Sequence, residues 1–263
     1  MTPTLLDGPE MLACLNADGL LPQDAVSVFC VGSVARGWAN EGSDYDIAVI
    51  VPGSRTPAGT SRLPVPLEPA FVPVHVGYSA GRRWEVKYWT DSQVDQMLAK
   101  VSHERFESGQ GVTALLTMEE LFLERLLTCL PLSGEEWIRR RCEDLRASAY
   151  QRAVLTRTLG NADSALEDAI GQLASGDPDS AVISAHKAFV STVDAILESA
   201  ECYGSGTPKW RSRRMRDAAP ATLAYEQYWA METMTDLDPE APEKWVMQVV
   251  SWCRETAMGV EIS

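Results

Sequence analysis

Near residue 91 the spacing of apolar residues changes from every second position to every third and fourth, and this change limits the folds open to the chain. Before it, VSVFCVG (26–32) is a mostly apolar run ending in glycine and reads as a buried strand. DYDIAVIV (44–51) is a second strand, closed by Pro52-Gly53. FVPVHVGY (71–78) and RWEVKYW (83–89) alternate and flank Ser79-Ala80-Gly81, the pattern of a hairpin. A short amphipathic helix is expected from Asp7 to Leu15, stopped by Gly19 and Pro22. The stretch 52–70 is rich in Pro, Gly and Ser and reads as a loop, either mobile or set over a site.

Beyond 91, VDQMLAKV, MEELFLERLLTCL, the long run from Gly134 to Leu173 and PDSAVISAHKAFVSTVDAILESA all carry helical spacing. Asp177 followed by Pro178 has the form of an N-cap with proline in the first turn. The expected fold is α+β: an N-terminal domain of mixed sheet and helices over 1–110, followed by an all-α bundle over 111–263, with the break between 91 and 112.

Composition narrows the function classes. Hydrophobic residues make up 45% of the 263, enough for a globular core, which excludes a disordered or fibrous chain. No apolar run approaches the roughly 20 residues of a membrane span, and the first residues lack the basic start and apolar core of a signal peptide, so a cytoplasmic protein is expected. Six scattered cysteines form no CxxC pair, which points to reduced, buried thiols and not to zinc. The formal charge of −14 disfavours a nucleic-acid partner, because such affinity comes from neutralising phosphates. It suits a cationic small molecule, and equally a surface kept acidic for solubility.

The chemistry is concentrated between 32 and 46. Gly32-Ser33-Val34-Ala35-Arg36-Gly37 follows a strand, and Gly32-Ser33 turns the chain into a short helix whose free N–H groups suit a phosphate. No Walker A loop is present, since Trp38 follows Gly37. In Ser43-Asp44-Tyr45-Asp46 the aspartates are two apart, so on a strand both carboxylates project from one face. Paired carboxylates on an apolar strand repel unless a cation lies between them, and hard oxygen ligands suit Mg²⁺. Phosphate cradle and metal ligands together describe a site for Mg²⁺ and a nucleoside triphosphate. Either motif alone is more often a solvated turn.

These residues, Gly32-Ser33…Gly37 and Ser43-Asp44-Tyr45-Asp46, resemble the signature of the DNA-polymerase-β-like nucleotidyltransferase superfamily. A short motif-bearing domain before a helical one is similar to its aminoglycoside nucleotidyltransferase branch. The resemblance implies transfer of a nucleoside monophosphate, AMP from ATP, to a hydroxyl of a small and possibly cationic molecule. Pyrophosphate leaves, and Asp44 and Asp46 hold two Mg²⁺ ions about 4 Å apart. It also implies nucleotide contacts at Gly32, Ser33, Arg36 and Ser43, and a third carboxylate. Glu85 is the best candidate for that carboxylate, as metal ligand or as the base for the attacking hydroxyl. Glu68, Asp91 and Asp95 are alternatives, and Glu85 could instead be a cross-strand partner of Arg83 or Lys87.

Further elements are open to two readings. KWRSRRMR (209–216) could bring Lys209 to the triphosphate, as a helical-domain lysine does in related enzymes, or could be a solvated turn. From Asn161 to Glu201, eight acidic residues face one cation, Lys187, which suits an aminated acceptor or merely a wet surface. Trp84 and Trp89 could stack on a base, whereas His75, His103 and His186 read as structural. Some relatives form dimers that share a cleft, so a homodimer is one arrangement open to the chain. A toxin–antitoxin enzyme modifying RNA or protein is disfavoured by the acidic charge, and a template-directed polymerase by the 31 residues before Gly32. A catalytically silent nucleotide-binding module is disfavoured by the presence of Ser33, Asp44 and Asp46 together.

Overall fold

Six strands form one mixed sheet: β1 (Ser27–Val31), β2 (Tyr45–Val51), β3 (Ser61–Pro64), β4 (Phe71–Ser79), β5 (Arg82–Thr90) and β6 (Leu130–Ser133). Their order is β3-β4-β5-β2-β1-β6, with β2 and β5 parallel and the other neighbours antiparallel. The computed structural model describes residues 5–53, 58–112 and 114–260. It divides into two units, one ending at Ser148 and the other beginning at Ala149.

Helices α1 (Gly8–Ala17), α2 (Gly32–Ala35), α3 (Asp91–Lys100), α4 (His103–Glu107), α5 (Thr117–Leu126) and α6 (Glu135–Arg146) belong to the first unit. On one face of the sheet, α1 buries Met11 and Leu15 against Val28, Tyr45, Ile47 and Val86. Asp7 caps α1 by accepting from Glu10 N, and Glu10 reaches back to Asp7 N. On the opposite face, Phe122 of α5 lies 6.3 Å from Phe29 and 4.8 Å from Trp89, ring centre to ring centre, and Trp137 of α6 stacks on Phe29 at 6.2 Å. The β4–β5 hairpin closes through Ala80 and Gly81, both at positive φ, which matches the twist of the strands it joins.

Three expectations are corrected. The stretch 52–70 contains β3, which pairs along the edge of β4; Ser-Arg-Leu-Pro lacks alternation and becomes a strand because β4 offers unpaired backbone. Residues 54–57 of that stretch lie outside the described residues. The first unit does not stop at 110: Leu-Pro-Leu-Ser of β6 joins the free side of β1, and α5 and α6 cover the sheet before the chain leaves it. The region assigned to an all-α domain therefore begins with material of the sheet domain. Trp84 and Trp89 are 2% and 1% exposed, core residues with no free face for a base.

The second unit holds α7 (Tyr150–Ala174), α8 (Pro178–Ser199), α9 (Arg211–Ala218), α10 (Tyr225–Glu232) and α11 (Pro242–Ala257). As expected, Asp177 caps α8, its Oδ1 accepting from Ser180 N at 3.1 Å. Helix α8 has the length and hydropathy to cross a membrane, and it is the central core helix here, with Phe189, Val193 and Leu197 fully buried. The six cysteines are all free thiols.

Both the acidic helices and the basic stretch contribute to this core. Arg211 grips Asp194 through Nε and Nη2 at 3.1 and 2.9 Å, Arg214 pairs with the same carboxylate, and Arg211 Nη1 also reaches Glu232 at 3.2 Å. Such two-pronged pairing compensates the burial of these charges. Of the eight acidic residues, Asp194 and Glu198 are thus turned inward, while Asp163, Glu167, Asp168, Asp177, Asp179 and Glu201 are exposed.

Burial lifts the Glu198 carboxyl to about 7, the charge of Asp194 adding to the effect and Ser205, Thr158 and Arg214 opposing it. Folded, this acid keeps its proton up to about 7; unfolded, it loses it near 4.5. Its contribution to stability is therefore present below pH 4.5 and lost as pH rises through 7. Between pH 4 and pH 8, wild type should lose on the order of 3 kcal/mol of unfolding free energy relative to Glu198→Gln. Urea denaturation across that range checks this, and parallel profiles for the two proteins would contradict it.

Candidate active site

The parallel pairing of β2 with β5 sets Asp46 directly beside Glu85, while the antiparallel pairing of β1 sets Val31 on its other side. Asp44 lies one residue before β2, so it is not on the strand as the sequence suggests. Asp46 is flanked by α5, which contributes Met118, Leu121 and Arg125 to a pocket shared with Asp46, Glu85 and Lys87. A shallower groove continues from Glu85 and Lys87 toward Leu63 and Val74.

Burial raises the Asp46 carboxyl above the usual range; Arg125 and Lys87 pull it down, and Glu85 and Asp44 push it up. Burial also works against ionisation of Glu85, but the hydrogen bond and charge of Lys87, then those of Arg83, outweigh it and hold its carboxyl below the usual range. Lys87 pairs with Glu85, Arg83 Nη2 reaches Glu85 Oε2 at 3.3 Å, and Arg83 Nη1 pairs with Asp44. Glu85 thus does pair with Arg83 and Lys87, but along its own strand β5 and not across strands, and it is half-buried.

Gly32 opens α2 at φ +75, in the left-handed region. A Cβ there would lie 2.8 Å from Asp46 Oδ2. Glycine is thus required twice, by the backbone conformation and by the carboxylate against it. The expected short helix is a single turn, Gly32–Ala35, that carries half-buried Ser33. Arg36 ends the turn, with its guanidinium 4.8 Å from the Trp38 ring centre. The Ser43 hydroxyl accepts from Asn40 N at 2.9 Å, so it organises the loop before Asp44.

Sequence reasoning missed Arg82 and Arg125. Arg82 is 6% exposed and its Nη1 donates to the carbonyl oxygens of Asn40, Glu41 and Ser43 at 3.2, 3.4 and 2.9 Å, tying down the loop that delivers Asp44. No local pattern betrays it, because its partners lie about 40 residues away. Arg125 sits inside a helix whose spacing reports only amphipathicity.

The alternatives to Glu85 have other roles. Asp91 accepts from Arg141 at 2.5 Å and from Trp137 Nε1 at 2.9 Å, Asp95 pairs with Arg141 at 2.7 Å, and Glu68 is exposed. Lys209 belongs to the second unit, in a 3-10 turn before α9, with its ammonium 5.6 Å from the Trp210 ring centre. His103 and His186 are structural, each ring Nε2 lying 3.0 and 3.1 Å from the carbonyls of Ala147 and Glu232.

Asp46 and Glu85 offer carboxylate oxygens side by side, the donor type that a hard divalent cation such as Mg²⁺ takes. Among the described residues no three His, Cys, Asp or Glu side chains are gathered as a metal cage. Asp44 and Glu85 are instead drawn onto Arg83 and Lys87.

Residues 20–110 match the family model of the nucleotidyltransferase domain. No curated protein matches the chain. Among solved structures, the chain is similar to a nucleotidyltransferase-like protein from Exiguobacterium sibiricum 255-15, with 8% identity and a TM-score of 0.49 over 96% of this chain and 74% of that one.

Gly32→Ala should displace the Asp46 carboxylate and add about 1–2 kcal/mol of backbone strain. Thermal melting should show that modest loss with the fold retained, and an unchanged melting temperature would mean that the turn accepts a side chain without strain.

Proposed function

We propose that the nucleotidyltransferase domain carried by residues 20–110 transfers a nucleoside monophosphate, AMP from ATP, to a hydroxyl of a small molecule and releases pyrophosphate. The observation that carries this reading is the register of Asp46 beside Glu85, with Gly32 cleared of any side chain against the Asp46 carboxylate.

Asp44, Asp46 and Glu85 would hold Mg²⁺, which when bound supplies neutralisation of the charge on the transferred phosphoryl group. Glu85 would serve either as a metal ligand or as the base for the attacking hydroxyl. Lys87 and Arg83, which hold its carboxyl below the usual range, favour the ligand role and leave the hydroxyl proton to water. The new bond runs from the hydroxyl oxygen to the α-phosphorus, and the bond to the pyrophosphate oxygen breaks. Gly32 lets phosphate oxygens approach the backbone, Ser33 offers a hydroxyl donor, and Arg36 and Ser43 shape the loop around them. Lys209 is proposed as a further phosphate ligand, and the protein as a homodimer. Positioning and charge neutralisation supply most of the acceleration in such chemistry.

An aminated acceptor such as an aminoglycoside is the finer reading, with antibiotic resistance as its consequence. It is supported by the six exposed acidic residues of 161–201 and by the net charge of −14.

Pyrophosphate release with Mg²⁺, four nucleoside triphosphates and a panel of amino sugars and polyols tests the proposal. Acceptor-dependent release should fall at least about a hundredfold in Asp46→Asn with folding intact, since each such electrostatic contact is worth roughly 10²–10³ in rate. Near-wild-type turnover in that variant would remove the site assignment. Triphosphate binding without turnover on any acceptor would favour a silent module. Lys209→Ala should weaken triphosphate binding with little change in turnover at saturation.

A further inference from the structure

We propose that Arg83 and Lys87 are exchangeable counter-ions of the carboxylate cluster, so that the chain takes up a divalent cation together with a triphosphate and only weakly without one. This rests on the function proposed above.

Strand β5 alternates Arg83, Glu85 and Lys87, which puts all three on the face that carries Asp46. Arg83 spans two acids at once, Asp44 through Nη1 and Glu85 through Nη2, and Lys87 takes the other oxygen of Glu85. Two of the three carboxylates are therefore already compensated within the chain, and Arg125 shares a pocket with the third, Asp46. The pairs are half-buried, with side-chain exposures of 34% for Arg83, 17% for Lys87, 35% for Asp44 and 22% for Glu85. At that depth bulk salt screens them less than a surface pair.

A divalent cation arriving alone must break these three pairs and then sit beside two released cations with nothing to absorb their charge. A triphosphate changes the balance, because its oxygens accept the guanidinium and the ammonium as the metal takes the carboxylates. Both side chains have long flexible stems and can turn without moving β5. Metal and triphosphate thus each strengthen the binding of the other, and the coupling is reciprocal. Purely structural ion pairs would show no such coupling. The apolar residues interleaved with these charges on β5, Trp84, Val86 and Tyr88, point to the other face, and only Trp89, beyond Lys87, packs on the same side, against Phe122.

The test is the affinity of the full chain for Mn²⁺, read by the electron paramagnetic resonance of free Mn²⁺, with and without an α,β-methylene ATP analogue. Wild type should bind Mn²⁺ weakly alone and markedly more tightly with the analogue. Arg83→Gln and Lys87→Gln should each tighten analogue-free Mn²⁺ binding about tenfold, the scale of removing one positive charge a few ångströms from a divalent ion at high dielectric. Each should also weaken analogue binding and shrink the coupling. Arg83→Lys, which keeps the charge but loses the two-pronged grip, should fall between wild type and Arg83→Gln. Circular dichroism checks folding, and Lys87→Gln carries the test if Arg83→Gln does not fold. Unchanged analogue-free Mn²⁺ affinity in the folded variants, with wild type binding Mn²⁺ and analogue together, would overturn the counter-ion role alone. Failure of wild type to bind Mn²⁺ and analogue together would overturn the nucleotidyltransferase reading with it.

Discussion

The first unit depends on one strand pairing, the parallel ladder between β2 and β5. It places Tyr45, Ile47 and Val49 beside Trp84, Val86 and Tyr88 on the face that α1 covers, and Asp46 beside Glu85 on the other. Because side chains alternate along a strand, the ladder that builds the core also sets two acids side by side. A shift of one residue would drive the acids into the core and the aromatic residues into the pocket.

That juxtaposition makes electrostatics the second constraint. Asp46 is costly to ionise where it stands, and Glu85 and Asp44 add to the cost. The fold answers with cations from the two elements that line the acids: Arg83 and Lys87 from β5, and Arg125 from α5. Arg82 meets another demand, fixing the loop 40–43 through backbone carbonyls so that Asp44 arrives at a defined place. Three basic residues thus face three acids, while Arg82 holds the loop that leads to them.

Local periodicity read well where one element's own residues decide it. The β4–β5 hairpin, the Asp177 cap of α8 and the apolar runs of β1 and β2 all lie where their spacing puts them. Strands β3 and β6 escaped notice because they are edge strands of four residues each, made by the partner they pair with and not by their own propensity. The domain border escaped for the same reason: helices α5 and α6 look like any amphipathic helices, and only Phe122 and Trp137 against Phe29 show which core they serve.

The sequence alone determined the α+β class and the glycine turn at 32, because spacing and residue type suffice for each, whereas only the register of β5 against β2 set Glu85, of the four candidate acids, beside Asp46. Tertiary structure decided which charges meet. Arg211 and Arg214, part of a basic run, close on Asp194 in a core; Arg83 and Lys87 close on the site carboxylates; Asp91 and Asp95 are drawn to Arg141. A charge acts over a few ångströms of space and not along the chain, so its partner is settled only when folding brings distant segments together.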